Sequence, residues 1–189
     1  PWAATGIVPR PADGGCSAAT AGITTVGTVA YVTAEGDEPG CWEGVYAANI
    51  ADGSVRWNAE CLGGAQGIVA VGSWIYKASH QHDCGRMPGG YVGPRSSADF
   101  VWNRITAWRA SDGALGHYAP NTNGAGVEVV GPHAVATDGS QLFVGGDFTT
   151  FATAPRTRLA AVDATTLALL PWAPVAAAAV NALCVRDTT

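Results

Sequence analysis

Short apolar stretches alternate with polar turns along most of the chain, and this pattern predicts β-strands throughout. In the first part of the sequence, strand-like segments rich in apolar residues at 23–26 and 29–33 flank Gly27-Thr28, and two others at 45–49 and 54–57 lie on either side of Asp52-Gly53. Asp-Gly between alternating apolar residues is typical of a β-hairpin, because both residues tolerate a positive φ. The 3.6-residue period of an amphipathic helix is absent. An all-β fold is therefore expected.

The same pattern occurs three times. Two copies begin at Cys16 and Cys61 and end in a second cysteine, Cys41 or Cys84, while a third copy without cysteines begins near Ala134. Self-similarity at roughly 40–50 residues, with several short strands in each unit, is typical of propeller blades. We expect one partial β-propeller over residues 1–189, made of four-stranded antiparallel blades. The blades would cover about 16–60, 61–120 and 121–174, with a partial blade at 175–189.

Both ends of the sequence resemble interrupted repeats. The chain starts with Pro1-Trp2, the dipeptide that closes a repeat at Pro171-Trp172, and residues 182–185 have the pattern of the first strand of another repeat. We therefore expect a piece of a larger propeller. Its first partner would be the rest of that propeller or a completing chain, because exposed edge strands attract pairing partners.

Composition excludes two classes of partner. Charged residues make up 13 % of the sequence and the formal net charge is −5, whereas nucleic-acid binders need a basic face. No apolar run approaches the ~18 residues of a membrane-spanning helix. We therefore expect neither a nucleic-acid partner nor a membrane span.

The third copy resembles a known family. Phe143-Val144-Gly145-Gly146-Asp147-Phe148, then residues 156–166 and Leu170-Pro171-Trp172, are similar to the delta-sixty type repeat of secreted bacterial β-propellers. The resemblance covers about residues 134–174, and the region from Glu43 to Cys84 resembles an upstream blade pair found in such proteins. It implies a secreted or cell-surface propeller, in a family whose members often carry carbohydrate-binding or adhesive modules.

A weaker similarity links the chain to quinoprotein-type propeller repeats. Ala47, Asn49, Asp52, Gly53 and Trp57 follow the spacing of that motif, whereas the later copies depart from it, with His117 at the tryptophan position and Leu167 at the glycine position. In such motifs the indole packs against the backbone of the next blade. The similarity implies a structural role for Trp57 and does not imply a bound quinone.

Five cysteines in a chain that resembles secreted proteins suggest disulfides. A cysteine just before the first strand of a hairpin and one just after the second lie at the same open end. We therefore predict the pairs Cys16–Cys41 and Cys61–Cys84, with Cys41–Cys61 as the alternative. Cys184 occupies a mid-strand position and is expected to be a buried free thiol.

The long connection at 79–103 carries most of the candidate ligand-binding residues, which are His80, His82, Asp83, Tyr91 and Trp102. His80 and His82 would point to one face of a strand, as a zinc or copper site requires, with His117, Asp99 or His133 as a third ligand. Alternatively, these histidines hydrogen-bond to the backbone and orient the disulfide.

Acidic residues crowd another loop, at Asp37, Glu38 and Glu43. Calcium takes hard oxygen ligands of this kind, although the residues lack the usual spacing of a calcium loop. The alternatives are a calcium site and a solvated acidic loop.

Catalytic signatures are absent from the sequence. It has no Gly-x-Ser-x-Gly elbow, no His-Glu-x-x-His and no phosphate-binding glycine loop. We therefore predict no catalytic residue, and no cofactor apart from a calcium or zinc ion at the sites above. The leading hypothesis is a binding module that recognises a glycan or a protein partner. The alternatives are a propeller enzyme (a glycoside hydrolase, a lyase or a quinone-dependent dehydrogenase) and a purely structural subunit.

Overall fold

The structure, a computed structural model, describes residues 18–36, 42–80, 84–85, 87–90, 104–116, 118, 120–123 and 131–186. These ranges contain thirteen strands and no helix, which confirms the predicted all-β class. The described residues therefore include no helix that is long and apolar enough to cross a membrane. In chain order the strands are β1 (Ala18–Val26), β2 (Val29–Gly36), β3 (Gly44–Asn49), β4 (Val55–Glu60), β5 (Ala65–Val71), β6 (Trp74–Ser79), β7 (Arg104–Arg109), β8 (Thr122–Asn123), β9 (Pro132–Thr137), β10 (Gln141–Gly146), β11 (Thr150–Phe151), β12 (Ala154–Pro155) and β13 (Leu159–Asp163).

Three antiparallel sheets follow one another along the chain. The first has the order β1-β2-β3-β4, the second β5-β6-β7, and the third β13-β10-β9. A small sheet of the order β12-β11-β8 accompanies them and was not expected from the sequence. The predicted four-stranded first unit is confirmed.

The second and third units have fewer strands than expected. Where a fourth strand was predicted, the described residues form only the isolated bridges Trp108↔Leu115 and Val162↔Leu169. In the second unit Gly116 follows the bridge and offers no side chain to pack, which weakens a strand. In the third, Pro171 has no N–H to donate to a ladder. The expectation of four strands in every blade is therefore wrong for the described part of these two units.

The expected strand near Cys184 is also absent. The described residues from 164 to 186 contain no strand, and Cys184 is a free, exposed cysteine. The prediction of a buried mid-strand thiol is therefore wrong, because this segment forms a single backbone hydrogen bond to β10, from Val180 to Gly146, and no continuous ladder among the described residues.

The internal repeat is visible in the backbone of three turns, at 49–53, 109–113 and 163–167. In each turn the fifth residue donates its N–H to the carbonyl of the first at 2.8 Å. That fifth residue has a left-handed φ of 73° at Gly53, 73° at Gly113 and 59° at Leu167. The third unit thus places leucine in a conformation that the other two assign to glycine, the residue that adopts it without strain.

The three sheets stack face to face, with β5 packed against both β1 and β9. Successive side chains of a strand point to opposite faces, so the second sheet contributes to two cores. Ile75 and Trp108 pack in the core shared with the first sheet. Tyr76 and Ala107 pack in the core shared with the third sheet.

Trp57 fastens the first sheet to the second. Its indole Nε1 donates to the carbonyl of Ala110 at 3.0 Å, and the Tyr31 hydroxyl donates to the same oxygen at 3.2 Å. A Cβ at Gly113 would come within 2.6 Å of the indole Cε3, so the ring lies directly against that turn. The expected contact between this tryptophan and the backbone of the next unit is confirmed.

Trp57→Phe is expected to lower the free energy of unfolding by about 1 kcal/mol, because the ring remains but its hydrogen bond to Ala110 is lost. Urea denaturation would measure the change. Trp172→Phe is the matched control, since Trp172 is 40 % exposed and meets Phe143 edge-on within its own unit. An equal loss in the control would contradict a specific role for the Trp57 hydrogen bond.

Candidate functional site

Three connections meet at one end of the first two sheets. Because neighbouring strands are antiparallel, the β2–β3, β4–β5 and β6–β7 connections leave the sheets at the same end, where Gly44 pairs with Glu60 and Ala65 with Ser79. We call this end, with residues 61–64, 80 and 84, the disulfide end. The β6–β7 connection is the long segment that the sequence marks as the candidate ligand-binding region.

Cys61 and Cys84 form a disulfide at this end, with their Cα atoms 4.3 Å apart. Both cysteines are fully buried. The predicted pairing is confirmed, and the alternative Cys41–Cys61 is excluded. The other predicted pair, Cys16–Cys41, lies outside the described residues. The observed bridge ties the β4–β5 connection to the start of the long β6–β7 connection.

Met87 packs against the disulfide from the long connection. Its Sδ lies 3.8 Å from the Sγ of Cys61 and accepts a hydrogen bond from the Trp108 indole at 3.4 Å. The thioether is polarisable and fills irregular spaces in this way. The first residues of the long connection are therefore fixed to the core by a covalent bond and by packing.

His80 joins the same two connections by a hydrogen bond. Its Nε2 accepts from the backbone N–H of Gly64 at 3.0 Å. This contact agrees with the interpretation that the loop histidines bond to the backbone, and it engages one of the two nitrogens that could bind a metal. His133, considered as a third ligand, has its Nδ1 2.9 Å from Asn181 Oδ1.

No group of three or more histidine, cysteine or acidic residues within the described ranges could hold a metal ion. The predicted partner ligand His82 lies outside those ranges, as do His117 and Asp99. The zinc site therefore stays a prediction. Asp37 and Glu38 of the acidic loop also lie outside the described residues, so calcium binding stays a prediction as well.

A buried lysine lies beneath these connections. Lys77 of β6 is fully buried on the face toward the first sheet, where its Nζ donates to the Gly63 carbonyl at 3.3 Å. The ammonium also lies 5.7 Å from the centroid of the Trp108 ring, within the distance of a cation–π interaction. Lys77 thus binds the β4–β5 connection through the Gly63 carbonyl.

Two glutamates complete this polar cluster, one on each side of the β2–β3 connection. Glu43 accepts a hydrogen bond from the Gly63 N–H, and it is partly buried rather than fully solvated. Glu35 lies against Gly64, where an added Cβ would also come within 2.6 Å of His80 Cε1. Gly64 therefore leaves the space that allows Glu35 and His80 to meet the backbone.

Burial governs the ionisation of the cluster. Desolvation lowers the pKa of Lys77 to about 8, and the nearby carboxylates of Glu43 and Glu35 oppose that shift. Burial raises the pKa of Glu43, while the Gly63 hydrogen bond and Lys77 lower it. Burial also raises the pKa of Glu35, with Glu43 acting in the same direction. At neutral pH Lys77 remains mostly protonated, so its charge faces two carboxyl groups.

Sequence reasoning missed Lys77 and Glu35, although a signal for Lys77 was present. It is the single lysine of the chain and stands in the apolar strand Trp74-Ile75-Tyr76-Lys77-Ala78. A charged residue inside a strand that is buried on both faces needs partners nearby.

Four of the five predicted ligand-binding residues, His82, Asp83, Tyr91 and Trp102, lie outside the described residues. His80 is the one whose position is known, and it lies at the disulfide end. The side chains of Glu43, His80 and Lys77 hydrogen-bond to the backbone of residues 63 and 64. They therefore fix the β4–β5 connection in place and do not line an open binding pocket.

No family model matches the sequence, and no curated protein matches it. Among solved structures the chain is similar to BamB from Moraxella catarrhalis, with a TM-score of 0.28 and 16 % sequence identity. That alignment covers 79 % of this chain and 50 % of the BamB chain. The chain thus spans about half the length of this BamB chain. The resemblance to delta-sixty repeats stays a prediction.

Proposed function

We propose that this chain is part of a secreted or cell-surface β-propeller that acts as a binding module for a glycan or a protein partner. The ligand would contact the long β6–β7 connection at the disulfide end. The observation that carries this proposal is the anchoring of that connection, through the Cys61–Cys84 bridge and the His80–Gly64 hydrogen bond, to the neighbouring β4–β5 connection.

The propeller part of the proposal rests on the stacked sheets and their equivalent turns. Three consecutive meanders pack through β1, β5 and β9, and Trp57 fastens one unit to the turn of the next. Radial stacking of such units is how a propeller is built. The similarity of residues 134–174 to delta-sixty repeats supports the same architecture.

The binding part rests on the anchoring of the described start of the long connection by the Cys61–Cys84 bridge and by Met87. Loops positioned by a rigid scaffold are where binding residues concentrate. This connection carries Tyr91 and Trp102, and flat aromatic rings stack well on the apolar faces of sugars. The buried disulfide supports a location in an oxidising compartment, where such bridges form and persist.

A glycan array probed with the full chain would test the proposal. We expect saturable binding to a limited set of glycans, weakened about tenfold by Tyr91→Ala or Trp102→Ala, since tenfold corresponds to one aromatic contact of ~1.4 kcal/mol. Ile50→Ala is the matched control, because this exposed apolar residue lies in a turn at the opposite end of the first sheet.

If the array is silent, a protein partner captured by the chain and lost with Tyr91→Ala or Trp102→Ala would support the protein form of the proposal. Binding that Ile50→Ala removes and the two loop substitutions leave intact would contradict the proposed face. Silence toward both classes of ligand would contradict a binding role.

A further inference from the structure

The first two units differ at one position, where the segment after the third strand lies opposite that strand. In the first unit Trp57 pairs with Ala47, and its ring fills the space between the first and second sheets. In the second unit the N–H of Gly116 bonds to the carbonyl of Ala107 at 2.8 Å. His117 is the residue at the tryptophan position of the sequence, but Gly116 lies opposite Ala107 as Trp57 lies opposite Ala47, and Gly116 has no side chain to place between the second and third sheets.

A cleft of about 450 Å³ occupies that space. Its walls come from both units and include Trp74, Tyr76 and Tyr118 on one side and Thr165, Thr166 and Leu167 on the other. The last three residues belong to the turn equivalent to the one that Trp57 contacts. Because Thr165 and Thr166 are exposed, the cleft opens to solvent, at the end of the sheets opposite the disulfide end.

The aromatic side chains that line the cleft suit the binding of a planar aromatic ring. Tyr76 and Tyr118 meet edge to face with their centroids 6.2 Å apart, and Trp74 closes over Gly116, whose added Cβ would lie 2.9 Å from Trp74 Cζ3. Small-molecule pockets are typically roughly 300–1,000 Å³ in volume and combine aromatic walls with a few polar groups. This cleft falls within that range.

Tyr118, one of the lining residues, carries a polar atom that lacks a partner. The hydroxyl of Tyr118 is buried and makes no hydrogen bond within the described residues. A buried polar group of this kind normally has a partner. Burial raises the pKa of Tyr118, so the hydroxyl stays a neutral donor at physiological pH.

We propose that the cleft between the second and third sheets binds a small planar aromatic molecule that carries a hydrogen-bonding group, of the indole or phenol class. The ring takes the position that the Trp57 indole occupies between the first and second sheets. Its polar group pairs with the Tyr118 hydroxyl. This site is separate from the disulfide end and does not depend on the proposed glycan or protein ligand.

Indole and p-cresol are the probes, with cyclohexanol as the non-planar comparison. Calorimetry and ligand-observed NMR should show saturable binding of indole or p-cresol, with a dissociation constant on the order of 0.1–1 mM for molecules of this size. Cyclohexanol should bind at least about tenfold more weakly, because it cannot stack against the aromatic walls. Equal binding of all three probes would overturn the proposal.

Thr165→Trp tests the location, because a large side chain at this exposed position fills the mouth of the cleft. It should abolish probe binding. Ala51→Trp is the matched control, since Ala51 holds the equivalent exposed place in the first turn. Unchanged binding in Thr165→Trp, or an equal loss in Ala51→Trp, would overturn the proposal.

Tyr118→Phe tests the hydrogen bond. It should weaken indole or p-cresol binding about tenfold while leaving toluene binding unchanged, and it should not lower the melting temperature of the free protein, because an unpaired buried hydroxyl is removed. A parallel loss of toluene binding would contradict the role of the hydroxyl. A tryptophan-containing peptide that binds more tightly than free indole would identify a partner's side chain as the source of the ring.

Discussion

Replacing both Cys61 and Cys84 with alanine is expected to lower the free energy of unfolding by about 3 kcal/mol. The two cysteines are 23 residues apart in sequence, and the loop-entropy relation gives about this value for a closed loop of that length. Alanine is preferable to serine, since both positions are fully buried and a hydroxyl there would lack a partner. Urea denaturation with a constant m-value would measure the loss.

Cys184→Ala is the matched control, because Cys184 is free and exposed. A surface substitution of this kind changes stability by no more than about 0.5 kcal/mol. Adding a reductant to the unmodified chain should lower its stability by at least as much as the double substitution, because the reductant also opens the predicted Cys16–Cys41 bridge, and the control should respond to the reductant like the unmodified chain. A double variant as stable as the unmodified chain would show that the bridge does not stabilise this end of the sheets.

The sequence alone predicts the features that depend on local chemistry. Asp52-Gly53 and Asp112-Gly113 mark their turns because a left-handed residue is needed there, and the strands on either side follow from alternation. The Cys61–Cys84 bridge is predictable for a related reason. Both cysteines flank the hairpin of β5 and β6, whose open end joins Ala65 to Ser79.

Features that depend on the register between strands or on the packing between sheets could not be predicted from the sequence pattern. The shift at Ala47/Ala48 places Trp57 opposite Ala47, whereas the second unit places Gly116 at that position, and the resulting cleft follows from this difference. The cluster around Lys77 is equally non-local, because it joins β6 of the second sheet to Glu35 and Glu43 of the first through residues 63 and 64 of the connection.

Lys77→Met is expected to destabilise the protein by about 2 kcal/mol at pH 7.5, less than the range for removing one partner of a fully buried ion pair, because Glu43 is only partly buried. Methionine keeps the volume and apolar stem of the lysine but leaves the partly buried Glu43 carboxylate without a nearby positive charge. Arg109→Met is the control. Its salt bridge to Asp112 lies on the exposed surface, where such pairs contribute less than about 1 kcal/mol.

The pH dependence distinguishes this explanation from a simple packing defect. Burial raises the pKa of Glu43 in the folded protein, so its contribution to stability is present below its unfolded pKa and is lost as pH rises through the folded value. Without Lys77 that folded pKa rises further. The deficit of Lys77→Met should therefore shrink as pH falls from 7.5 to 4.5, where Glu43 takes up a proton.

The contribution of Lys77 to stability changes with pH in the opposite direction to that of Glu43. Its folded pKa of about 8 lies below the ordinary value of 10.5, so its contribution to stability is present above 10.5 and is lost as pH falls through 8. The unmodified chain should consequently gain stability from this residue between pH 8 and 10.5, and the methionine variant should not.

A second substitution completes the test. Glu43→Gln in the Lys77→Met background should restore most of the lost stability at pH 7.5, because the neutral amide oxygen still accepts from Gly63 and carries no charge that needs a partner. Urea denaturation of the four proteins of this double-mutant cycle, at pH 4.5 and 7.5, gives the coupling energy between the two residues. A deficit that is independent of pH and unaffected by Glu43→Gln would show that the ammonium stabilises the disulfide end through packing alone.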